Sequence, residues 1–127
     1  MPLARIDVPA GKSADYRSAI GEVVYNALLS VFNVPKNDRF QIITEHESGS
    51  LIIDPTYLGI ARTKDAIIIQ VTVSEGRTVD MKRAFYKAVA DGLHERLGLR
   101  REDVFINLLE VKKENWSFGN GEAQYVQ

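Results

Sequence analysis

The sequence predicts an α+β fold: two fused β-α-β units forming a four-stranded sheet with two helices on one face. Three observations carry that expectation. Met1 to Val8 alternates and is rich in aliphatic side chains, as a strand should be. Two long segments repeat apolar residues at helical spacing. Sliding the chain on itself by 65 residues then lays the second segment over the first. Gly11-Lys12-Ser13 falls on Gly76-Arg77-Thr78, and Ile20, Val24, Leu28 and Phe32 fall on Phe85, Val89, Leu93 and Leu97. Val34 meets Leu99, Asp38 meets Asp103, Phe40 meets Phe105, and Pro2–Val8 lands on Ile67–Val73. The reading is a single domain over residues 1–127, with repeat units of about 1–65 and 66–127.

Taken in order, strand one ends at the turn Pro9-Ala10-Gly11-Lys12, and Ser13 is placed to cap a helix. Tyr16, Ile20, Val23, Val24, Ala27, Leu28, Val31 and Phe32 form its apolar face, and Pro35 ends it. A second strand runs from about Phe40 to Glu47, followed by an irregular stretch from Leu51 to Thr63. Ala66 to Val73 reads as an aliphatic strand covered on both faces. Gly76-Arg77-Thr78 repeats the turn-and-cap signal, and the second helix carries Phe85, Ala88, Val89, Leu93 and Leu97 to Gly98. Val104 to Val111 is the fourth strand, and Trp116 to Gly121 is expected to be a short hairpin or a docking arm. Each unit should pair its strands in parallel through a right-handed crossover. With both helices on one face, the other sheet face is bare, so a homo-oligomer is expected to cover it.

Composition narrows the function. Charged residues are 26% of the chain but the net charge is only −1, so no basic footprint for nucleic acid or a membrane surface exists. The absence of cysteine removes disulfides, thiol nucleophiles and thiolate metal sites together. No apolar run is long enough to span a bilayer and no signal peptide is recognisable, so the expected location is the cytoplasm. His46 and His94 lack ligand spacing, and His94 lies in a charged helical stretch where solvation suffices. No metal is expected.

The chemistry-bearing candidate is Pro2. If the initiator Met1 is trimmed, a secondary amine remains, fixed at the end of a sheet strand. A free α-amine titrates near pH ~8, so modest local charge tunes it as a base or an acid. Arg77 precedes a helix N-terminus, where a guanidinium suits carboxylate binding. Its bland alternative is a solvated turn residue, as Lys12 is its repeat mate. Asp38 lies in a helix-to-strand turn, where an aspartate often only accepts local N–H bonds; Asp103 as its mate supports that plainer role. Trp116 and Phe118 read as packing, with Gly119 and Gly121 allowing a tight turn. Tyr57, Arg5 and Arg62 are weaker candidates, Arg62 as a substitute anion clamp.

A twice-written strand–helix–strand chain beginning with Pro2 resembles the tautomerase superfamily (the MIF-like fold), most nearly its malonate semialdehyde decarboxylase-like members. The stretches that carry the resemblance are Pro2-Leu3, Val34-Pro35 with Asp38-Arg39, Gly59-Ile60-Ala61-Arg62, Phe85-Tyr86-Lys87 and Trp116-Ser117-Phe118-Gly119. The resemblance implies a cofactor-independent enzyme in which Pro2 and Asp38 are catalytic and Arg77, Trp116 and Phe118 bind a small oxo-acid substrate. It also implies a homotrimer. The family's first arginine is replaced here by Glu75. On that ground keto–enol tautomerisation is placed ahead of decarboxylase or hydratase chemistry, with a non-catalytic oligomeric binding protein of the same fold as the rival from another class.

Overall fold

Strand register and helix length repeat almost residue for residue across the two halves of the chain. The computed structural model describes Pro2–Val126. Met1 lies outside the described residues, and with it the expectation that it is removed. The elements are β1 (Pro2–Pro9), α1 (Ala14–Phe32), β2 (Gln41–His46), β3 (Ile67–Ser74), α2 (Val79–Leu97) and β4 (Val104–Val111). The 65-residue offset carries β1 onto β3 and α1 onto α2 with identical ends.

The helix ends follow from local chemistry. The Ser13 and Thr78 side chains accept from the backbone N–H groups of Tyr16 and Met81, satisfying donors that the first helical turn leaves open. Asn33 and Gly98 then close the helices in the left-handed conformation, at φ 55° and 67°.

Sheet order is β2-β1-β3-β4. β1 pairs with β2 and β3 with β4 in parallel, and the two units join through the antiparallel pair β1/β3. Pro2 faces Val73 across that central seam. One sheet face supplies Ala4, Ile6, Val8, Ile67, Ile69, Val71 and Val73, all buried under the helices, where Phe32 stacks on Phe85 at 4.8 Å. The opposite face is open. Ile68, Gln70 and Thr72 remain half-buried, so within one chain β3 is covered on only one side. Exposed Ile42, Phe105 and Leu109 lie on the two edge strands, β2 and β4. The segment after β4 forms no hairpin among the described residues: it passes through short helical turns at Lys113–Asn115 and Gln124–Val126, and Trp116 and Phe118 between them dock on Ser74 and Phe40.

Candidate active site

Pro2 and Leu3 of β1, Phe40 ahead of β2, and the Trp116–Phe118 segment surround a cavity of about 480 Å³. Its first wall is set by pairing: the Ala4 N–H donates to the Phe40 carbonyl at 3.0 Å, holding Phe40 beside the start of β1. The second wall is set by side-chain bonds. Trp116 Nε1 donates to Ser74 Oγ at 3.2 Å, tying the indole to the end of β3. Gln124 closes the tail on itself, accepting from the Phe118 N–H at 2.9 Å and donating to the Gly119 carbonyl at 2.7 Å. Phe118 then lies nearly parallel to Trp116 at 5.4 Å and 6.2 Å from Phe40.

Asp38 is where the two repeats part company. Both it and Asp103 are buried at the same place in their units. Asp103 is fully satisfied, accepting from the Thr63 N–H at 2.7 Å and from Thr63 Oγ1 at 2.6 Å. Neither Asp38 oxygen has a partner. The donor that serves Asp103, Thr63, lies just ahead of β3. A buried carboxylate without donors is costly and calls for a reason beyond packing. Burial pushes the Asp38 carboxyl above its ordinary range, and the positive charge of the amino terminus opposes that push. The turn-aspartate role expected from Asp103 therefore describes Asp103 and not Asp38.

Arg77 is half-buried and engaged by its own chain. It donates to the Ser74 carbonyl at 2.9 Å and the Phe32 carbonyl at 3.4 Å, with its guanidinium 5.2 Å from the Phe32 ring centroid. It does not line the cavity. Its charge is felt at Tyr125, which packs against the cavity's Phe118. The Tyr125 ring meets Phe118 edge-on at 5.0 Å. Burial raises the Tyr125 hydroxyl's pKa, the charge of Asp38 raises it further and that of Arg77 lowers it. The only signal for Tyr125 in the sequence was one more aromatic after Trp116 and Phe118.

The weaker candidates lie elsewhere. Arg62 spends Nη1 on the carbonyls of Asp54, Tyr57 and Ile60, bracing the irregular stretch. Tyr57 and Arg62 line a separate cleft of about 230 Å³ beside Phe105. Arg5 is exposed on the open sheet face. His46 contacts Asp7 at 2.6 Å, and His94 is exposed near the Leu99 carbonyl. Among the described residues no cluster of three or more His, Asp or Glu is placed to hold a metal ion.

Two family models, both described as tautomerase enzyme, match residues 38–119 and 2–61. The probable tautomerase YusQ of Bacillus subtilis (strain 168) is 37% identical over 127 residues, covering 100% of both chains. The crystal structure of FG41 malonate semialdehyde decarboxylase inhibited by 3-bromopropiolate superposes with a TM-score of 0.92 at 39% identity, covering 98% of this chain and 94% of that one. A fused 4-OT, described as a symmetric trimer, shares the fold with a TM-score of 0.77 at 22% identity, covering 94% of each chain.

Proposed function

The chain belongs to the tautomerase family, and from that premise we infer that it catalyses keto–enol tautomerisation of a small oxo acid, with the Pro2 amine as base and acid. In the forward direction the neutral amine takes a proton from the carbon α to the carbonyl. The electron pair moves onto the carbonyl oxygen, and a proton delivered to that oxygen completes the enol; the reverse path returns it. No cofactor enters these steps. Asp38 is the partner that steers the proton, and its two unpartnered, buried oxygens, two residues ahead of the Phe40 that pairs with the start of β1, are the observation that carries the reading. Trp116 and Phe118 hold the substrate's apolar part and exclude water. Arg77 contributes its charge from behind Ser74, favouring the uncharged amine, while Asp38 favours the charged one.

We expect the working form to be a homotrimer, because apolar residues stand exposed on both edge strands and a solved fused 4-OT of the same fold is a symmetric trimer.

The test is ketonisation of an enolised 2-oxo acid such as phenylpyruvate, beside Pro2→Ala and with the mass of the purified chain recorded. Trimmed Met1 with a loss of about 100-fold or more in kcat/KM for Pro2→Ala supports the assignment, that being the usual weight of a general acid–base group. An unchanged rate, or a retained Met1 that leaves the amine acylated, sinks it.

A second reading has its own observation. The likeness to FG41 malonate semialdehyde decarboxylase is high, and the Asp38 carboxyl interacts with the amino-terminal charge; with Met1 removed it would favour the Pro2 cation that polarises a β-carbonyl as carbon dioxide leaves. Proline-dependent formation of acetaldehyde from malonate semialdehyde, followed by NMR, would put this lyase chemistry first.

A further inference from the structure

One polar row crosses the sheet face that the helices leave open. Side chains alternate along each strand, and the pairing sets Arg5 of β1, Gln70 of β3 and Asn107 of β4 side by side on that face. Apolar side chains flank the row, Leu3 and Leu109 on one side and Ile68 and Phe105 on the other. Gln70 Nε2 donates to Asn107 Oδ1 at 3.0 Å, which leaves the Asn107 amide N–H groups open to an acceptor. Among the described residues, the ionisable side chains that the strands present on this face are Arg5, Asp7 and His46. Asp7 is taken by His46 at 2.6 Å. Arg5 is exposed and has no partner among the described residues. A homotrimer closed through the sheet edges turns three open faces toward one axis, because the helices fill the other side of each sheet. Each copy then brings an unpaired guanidinium from a central strand toward that axis. Like charges gathered between apolar walls repel one another and focus a field that draws in an anion.

We propose that the assembled protein binds one small multivalent oxyanion, a polycarboxylate or a phosphate, on its axis, held by the Arg5 guanidinium and the Asn107 amide of each copy. Guanidinium suits such a ligand because it offers paired N–H donors to two oxygens at once. The site is incomplete in a single copy and takes no part in the chemistry at Pro2. The proposal rests on the homotrimer reading and is independent of the tautomerase one.

Stoichiometry separates this site from any anion bound in the Pro2 cavity, which occurs once in every chain. Calorimetric titration at fixed ionic strength, with propane-1,2,3-tricarboxylate and inorganic phosphate as separate probes, should show at least one of them binding once per three chains. The probe that binds tells a polycarboxylate site from a phosphate site. Arg5→Gln should keep the threefold mass in sedimentation and lose about 100-fold or more in affinity, because charge-assisted hydrogen bonds from three copies go together. Arg5→Lys, which keeps the charges, should lose less than Arg5→Gln, and Pro2→Ala should leave the titration unchanged. An anion bound once per chain, or binding that survives Arg5→Gln, overturns the proposal. So does a chain of threefold mass that binds neither probe, an outcome that leaves the homotrimer reading intact. A wild type of single mass removes the homotrimer reading and takes the axial site with it.

Discussion

At the scale of single residues, the informative comparison is between Asp38 and Asp103, the same residue in the same place of two units with opposite fates. Asp103→Ala strips both donors of Thr63 of their acceptor in a buried setting, and such a loss costs about 2–4 kcal/mol. A thermal melt should show that fall whether or not activity is followed. Asp38→Asn should act in the reverse sense. It removes a buried charge that nothing pairs, so the fold should gain about 1 kcal/mol, or roughly 4 °C in Tm, while activity drops. The pH dependence follows from the raised pKa of Asp38. A carboxyl whose folded pKa lies above its unfolded value gives stability that is complete below the unfolded value and is lost as pH rises through the folded one. The advantage of Asp38→Asn should therefore be largest near neutrality and fade in acid. Equal Tm values for variant and wild type at pH 7 and pH 3 would contradict that account.

At the scale of elements, the two helices are one design with different closures. α1 ends on Asn33 and α2 on Gly98, both at positive φ, where glycine adopts the geometry without the Cβ penalty. Gly98→Ala should destabilise by about 1 kcal/mol and Asn33→Gly should be neutral or slightly stabilising, as read from urea midpoints. Equal losses at both positions would mean that the helices do not share a closure. It was at this scale that the sequence spoke clearly. Ser13, Thr78 and Gly98 are local signals, since each works on backbone groups within a few residues, and they located both helices. The pairing of Phe40 with the 65-residue offset did the same for the strands. Asp38 was ambiguous because its repeat mate has an innocent role, and only the position of Thr63 ahead of β3 separates them. Tyr125 was invisible for a related reason: its place depends on Gln124 folding the tail back over Phe118, a contact no periodicity encodes.

At the scale of the whole molecule, the sheet has two unpaired edges, β2 and β4, and each presents apolar side chains: Ile42 at 40% exposure on one, Phe105 at 46% and Leu109 at 44% on the other. Open edges with exposed hydrophobics are an aggregation hazard unless something covers them. The two edges are near-copies in backbone, because β2 and β4 hold the same place in their repeat units, but of the exposed apolar side chains only Phe40 and Phe105 match, as Ile42 and Leu109 answer to Asn107 and Thr44. Near-copies on opposite sides of one chain suit a closed ring, in which one edge of each copy meets the other edge of the next, and ring closure leaves no edge free. On this account a negative charge at Phe105 or Leu109 should be buried without a partner in the ring and break it, while the core under the helices is untouched. Sedimentation equilibrium should give the wild type three times the 14.2 kDa chain mass, and Phe105→Glu or Leu109→Glu the single mass. Circular dichroism of the two variants should remain that of a folded chain. A wild type that sediments at the single mass refutes the ring outright. Charged variants that keep the threefold mass would mean that the copies meet away from Phe105 and Leu109.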